Sequence, residues 1–81
     1  MEEELLAVVP FLGRELRYRL SESRGENGME YGLCVEFGAE RCVIPGLTPR
    51  RQAAEQLAAL LVRGRVTPVA FPDVIEDWLA R

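Results

Sequence analysis

The segment Thr48–Gly64 reads Thr-Pro-Arg-Arg-Gln-Ala-Ala-Glu-Gln-Leu-Ala-Ala-Leu-Leu-Val-Arg-Gly and constrains the rest of the chain more than any other stretch. Thr48 suits a helix N-cap, where its hydroxyl accepts a bond from an orphan amide, and Pro49 suits the first helical position, where no N–H is needed. Ala53, Ala54, Leu57, Leu60 and Leu61 then recur at helical spacing on one face. Gly64 can take the left-handed conformation that ends a helix. A helix with one apolar face needs a layer to cover. The residues before it read as a sheet, and those after it as a clamp.

Glu15–Glu22 alternates, with Leu16, Tyr18 and Leu20 on one face and Glu15, Arg17, Arg19 and Ser21 on the other. That is the pattern of a half-buried strand. Ser23–Gly28 is rich in turn formers and reads as a hairpin loop. Glu30–Phe37 alternates again: Tyr31, Leu33, Val35 and Phe37 face one way, and Gly32, Cys34 and Glu36 the other. Gly38-Ala39 fits a two-residue type II′ turn. The resulting register sets Phe37 opposite Glu40, Glu36 opposite Arg41, Val35 opposite Cys42 and Leu33 opposite Ile44. Opposite charges then meet on the outer face and apolar pairs on the inner one. Pro45-Gly46 reads as the end of that strand, and Leu47 as a staple at the helix start.

The first eleven residues carry mixed signals. Glu2, Glu3 and Glu4 suit a helix N-terminus, whereas Val8, Val9 and Pro10 favour extended backbone. A short edge strand over Leu5–Val9, turning near Gly13, fits better. Beyond Gly64, Val66–Val69 is expected to be extended, because Thr67 precedes a proline. Phe71–Leu79 reads as a short final helix. Its inward stripe is Val74, Ile75, Trp78 and Leu79, with Trp78 as anchor and Asp73, Glu76 and Asp77 outside.

These elements predict one α+β domain over residues 1–81. It is an antiparallel sheet of three or four strands, with the main helix across one face and the short C-terminal helix closing the edge. The expected core is Leu16, Tyr18, Leu20, Tyr31, Leu33, Val35, Phe37, Ile44, Leu57, Leu60, Leu61, Val74, Ile75 and Trp78.

The C-terminal segment Val66-Thr-Pro-Val-Ala-Phe-Pro-Asp-Val-Ile-Glu-Asp-Trp-Leu79 resembles the closing motif of a family of small Firmicute proteins of unknown function. Tyr31-Gly32-Leu33, Arg41–Ile44 and the helix match the family's order of parts. The resemblance covers about the last fifty residues and departs at Phe71-Pro72. It implies a bacterial protein with this fold outline, and no activity.

Composition narrows the chemistry. All ten basic residues are arginine, and histidine is missing, which removes the side chain that most often acts as a base or metal ligand near neutral pH. Cys34 and Cys42 match no zinc spacing. The register points Cys42 inward and leaves Cys34 partly exposed beside Val43, so two free thiols are expected rather than a disulfide. No metal or cofactor is expected. No apolar run approaches the ~20 residues that span a bilayer, and no leader is evident, so a cytoplasmic location is expected, away from membranes.

Without a catalytic constellation, the leading expectation is a non-enzymatic interaction or regulatory module, partner-bound or homo-oligomeric. An 81-residue chain buries only about 60–65% of its unfolded surface, which favours association. The candidate surface comprises Arg17, Arg19, Glu36 and Arg41 on the outer sheet face and Arg50 and Arg51 at the helix start. Asp73, Glu76 and Asp77 of the final helix complete it. Arg50 and Arg51 stand where the helix dipole disfavours positive charge, a sign that they face something acidic; Arg51 can also pair with Glu55. The alternative is a nucleic-acid accessory protein that uses Arg17, Arg19 and Arg41. It is less favoured, because Glu15 and Glu36 share that face and the net charge is −3.

Overall fold

The computed structural model describes residues 2–80. Four antiparallel strands run as a simple meander, β1 (Glu2–Phe11), β2 (Arg14–Gly25), β3 (Gly28–Phe37) and β4 (Glu40–Thr48). The helices α1 (Arg51–Arg63) and α2 (Phe71–Leu79) cover one face. The α+β architecture is the expected one, with the fourth strand present.

The β3–β4 register is as predicted at Leu33↔Ile44, Val35↔Cys42, Glu36↔Arg41 and Phe37↔Glu40. Gly38 takes φ +60 while Ala39 stays outside the left-handed region, as a glycine-first turn requires. Other boundaries move outward. The β1 strand fills the edge from Glu2 to Phe11, with a bulge between Leu5 and Ala7, and turns through Leu12 and Gly13 at φ +50 and +75. The expected Ser23–Gly28 loop is mostly strand, with Gly25 opposite Gly28 around a tight turn at Glu26-Asn27.

Pro45-Gly46 does not end β4. The strand kinks there, because the register jumps between Tyr31↔Thr48 and Leu33↔Ile44 and Gly46 adopts φ +63. The kink brings the β4 backbone against Gly32, where a Cβ would collide with the Ile44 carbonyl oxygen and Pro45. Only glycine fits that approach.

Thr48-Pro49 does not start α1, which begins two residues after Pro49. Arg50 is the N-cap residue, and the Thr48 hydroxyl instead accepts from the Arg50 N–H at 3.1 Å. At the other end Gly64 remains right-handed, and Arg65 supplies the left-handed residue at φ +47. The Val66 N–H donates to Leu61 O and the Arg65 N–H to Val62 O. This is a Schellman ending placed one residue past the glycine, at a cost of about 1–2 kcal/mol for a non-glycine residue.

Residues 66–67 are irregular rather than helical, but 68–70 already turn, against the expectation of an extended Val66–Val69. The Thr67 carbonyl accepts from the Phe71 N–H at 3.0 Å, and its hydroxyl from the Ala70 N–H at 3.4 Å, so this second Thr-Pro pair launches α2. The bounds of α2 are those predicted.

The core gathers Leu16, Tyr18 and Leu20 of β2, Leu33 and Val35 of β3, and Ala54, Leu57, Ala58 and Leu61 of α1. Phe71 and Ile75 of α2 complete it. Tyr31, Phe37, Ile44, Val74 and Trp78 are only half-buried against it. Two expectations fail. Leu60 and Leu79 point out to solvent, and the fully buried Phe71, not Trp78, anchors α2. Both helical stripes are rotated slightly from the pattern. The Tyr18 hydroxyl donates to the Val66 carbonyl at 2.9 Å, tying β2 to the α1–α2 connection. Burial raises its pKa, with Arg65 opposing.

Candidate interaction surface

The strand pleat puts Arg17, Arg19, Glu36 and Arg41 together on the sheet face that no helix covers. Each arginine there meets a glutamate. Arg17 pairs with Glu15 at 2.8 Å, and Arg19 and Arg41 share Glu36 at 2.7 and 2.8 Å. The hydrogen bond from Arg19 holds the Glu36 carboxyl below the usual range, assisted by Arg41. Arg41 also reaches Glu3 of β1. That pair links the two edge strands across the open face.

On this face Ser21 and Cys34 are both almost fully buried, Ser21 beside Gly32 at the β4 kink and Cys34 among the charged groups. The expectation that Cys34 is partly exposed is therefore wrong. It does point to the open face, opposite Val43 and Arg19, but the crossing arginines and glutamates roof it over. Burial pushes its thiol up to about 11, away from the thiolate that nucleophilic chemistry needs. Both cysteines are free thiols, as expected.

Arg50 and Arg51 lie elsewhere, at the start of α1 over the helix-covered face. Arg51 does face acidic groups, and they belong to this chain: Glu4 at 2.7 Å, Glu22 at 3.0 Å and, one helical turn on, Glu55 at 3.2 Å. The arrangement joins β1, β2 and α1 through one planar guanidinium. Arg50 is exposed beside it. The predicted residues thus fall into separate places. The open face holds four, the α1 start two, and α2 the exposed Asp73, Glu76 and Asp77.

A surface that sequence reasoning missed adjoins α2. Leu47 and Thr48 of β4, Leu60 of α1, and Trp78 and Leu79 of α2 line a shallow groove of about 500 Å³. Leu60 is 48% exposed and Leu79 60%, whereas most apolar residues of the helices are covered. The signal was present but read the other way, since helical spacing that admits Leu60 to the stripe places it at its margin. A second hollow, of about 400 Å³, lies at the β2–β3 hairpin between Glu26, Asn27, Met29, Glu30 and Pro49. Among the described residues no cluster of side chains has the makings of a metal site.

Residues 13–81 match the model of a family of unknown function, DUF6514. The chain belongs to the DUF6514 family. The match takes in β2 through the C-terminus, well beyond the fifty residues that carry the sequence resemblance. No curated protein and no solved structure matches the chain. All five groove residues of this DUF6514 chain lie inside the matched span, as do Asp73, Glu76 and Asp77. Glu3, which helps to roof Cys34, lies outside it. No helix among the described residues is long and apolar enough to cross a membrane.

Proposed function

We propose that this DUF6514 chain is a non-enzymatic protein-interaction module that receives its partner in the groove between α1, α2 and β4. The observation that carries this reading is the exposure of Leu60 and Leu79 beside the half-buried Trp78 and Leu47. Leaving such a cluster in water forgoes about 25 cal/mol for each Å² of apolar surface that a partner would cover. A small domain with a thin core gains from that cover. The polar chemistry elsewhere points the same way. The Cys34 thiol is buried and held neutral, and the open-face carboxylates are engaged by arginines. Those pairings also leave the nucleic-acid alternative without a net positive field, since Arg17, Arg19 and Arg41 share their face with Glu3, Glu15 and Glu36.

Site-specific photocrosslinking in the source cells tests the proposal. A benzophenone side chain at position 60 or 79 is expected to give one discrete protein adduct, and the same group at position 17 none. Adducts at all three positions alike, or at none, overturn the reading.

A further inference from the structure

The two edges of the sheet are not alike. β4 carries Pro45 and the Gly46 kink in its middle, which remove a backbone donor and bend the strand. β1 is strand from Glu2 to Phe11, and among the described residues nothing pairs with its outer side. Its middle, Leu5-Leu6-Ala7-Val8-Val9, is apolar on both faces. On the open face Leu5 is 44% exposed and Val8 40%. On the helix side Leu6 and Ala7 line a hollow of about 310 Å³ with Glu55, Ala58, Ala59 and Val62 of α1. An unpaired strand edge with apolar side chains above and below it is a template for one more strand. Going beyond the groove, we infer that this strand is β1 of a second copy. The two chains then join edge to edge as one eight-stranded antiparallel sheet, with a two-fold axis between Leu6 and Ala7.

The β1 bulge is what makes the strand complementary to itself. Residues directly opposite each other in an antiparallel ladder share a face. The extra residue between Leu5 and Ala7 reverses the alternation, so Glu3 and Leu5 lie on the open face before it and Val8 and Pro10 after it. Leu6, Ala7, Val9 and Phe11 pack toward the core, on the same side as Glu2 and Glu4. Across the whole strand, the register that matches faces at every pair is the one centred on the bulge. It sets Leu5 opposite Val8 on the open face, and Leu6 opposite Ala7 and Glu4 opposite Val9 on the helix side. Pro10, which has no N–H, falls opposite Glu3 at the margin. Registers confined to one side of the bulge match too, but they either bring the Glu2–Glu4 segments of both copies together or put Pro10 inside the ladder. The centred register also suits the charges. Glu2 comes beside Phe11 of the second copy, whose neighbour on β2 is Arg14, on the same face. A parallel pairing would instead align the acidic ends.

Sedimentation equilibrium of the full chain at about 100 μM is expected to give twice the 9.1 kDa monomer mass, with a Kd of about 10 μM. Val8→Lys, at an exposed position, should weaken the dimer at least about tenfold, and Leu60→Ser, in the groove, should leave it unchanged. Disulfide trapping reads the register in a Cys42→Ala background, where Cys34 stays buried. Leu5→Cys copies are mixed with Val8→Cys copies in a glutathione redox buffer. The centred register puts these two positions about 5 Å apart and like positions about 10 Å apart, so the mixed disulfide should exceed either like-with-like product at least about tenfold. A monomer at this concentration, a dimer indifferent to Val8→Lys, or like-with-like disulfides formed as readily as the mixed one overturns the inference. A dimer lost in Leu60→Ser and kept in Val8→Lys also overturns it and assigns self-association to the groove. A monomer leaves the groove reading standing, since Leu60 and Leu79 lie on other elements.

Discussion

On one face of the sheet, Leu16, Tyr18, Leu20, Leu33 and Val35 lie under two helices; on the other, Cys34 is just as inaccessible with no helix above it. The first cover is apolar and close-packed, contributed by Ala54, Leu57, Ala58, Leu61, Phe71 and Ile75. The second is a layer of long charged side chains, Arg19, Arg41, Glu3 and Glu36, whose stems shield what their heads cross. Burial is therefore reached by two routes with different energetics. Removing an apolar side chain from the packed face leaves a cavity, whereas removing a charge from the open face lets water in. A small domain can thus exclude solvent from both sides of a single sheet with helices on only one.

The largest expected effect lies on the packed face. Phe71→Ala should lower the unfolding free energy by about 3–5 kcal/mol, measured by urea denaturation. A loss under about 1 kcal/mol would mean that α2 is not anchored by this ring, and the contrast between the faces would collapse.

The thiol test sharpens the other side. In a Cys42→Ala background, iodoacetamide should label Cys34 in the native protein at least about a hundredfold more slowly than in urea at the same pH, because its pKa is pushed up to about 11. The sign follows from the raised value. Below the ordinary thiol range neither state ionises and stability is full; as pH climbs toward 11 the unfolded chain ionises first and stability falls. Similar native and unfolded labelling rates would show that the charged roof does not exclude reagent.

Glu36→Gln should cost about 1 kcal/mol or less, since the ion pairs it breaks are partly exposed, yet it should speed Cys34 labelling clearly. Its pH dependence is specific. The carboxyl is held below its ordinary range by Arg19, so its contribution is complete above that range and lost as pH falls through the lowered value. The stability gap between wild type and Glu36→Gln should accordingly close on acidification in pH-dependent urea melts. A cost comparable to that of Phe71→Ala would make the open face a second core.

Arg17→Ala sits at the bottom of the scale, within about 0.5 kcal/mol, because its pair with Glu15 is exposed and covers nothing. A larger loss in thermal melts would extend the roof to the sheet's far end.

Local patterns carried the sheet. Alternation in Leu16–Leu20 and Tyr31–Phe37 set which side chains face the helices, and Gly38-Ala39 fixed the β3–β4 register residue by residue. The bounds of α2 followed in the same way from Pro72, Asp73 and a short apolar stripe. The candidate surface was legible only as residue types. The outward placement of Asp73, Glu76 and Asp77 follows from the pattern, but the groove does not, because helical spacing puts Leu60 in the expected core and Leu79 in the inward stripe of the final helix.

By itself, then, the sequence determined what depends on neighbours a few positions away: strand parity, the tight glycine turn, the helical segments and the absence of histidine chemistry. Tertiary structure alone decided the rest. Cys34 is buried because Glu3 and Arg41, 38 residues apart, meet above it. Arg51 finds its acidic partners on β1 and β2, and Phe71 takes the anchor position in the core shared with β2, β3 and α1. Leu60, at the margin of the α1 stripe, stays half in water. Periodicity reports which face a side chain is on; what lies over that face depends on chain segments that periodicity does not relate.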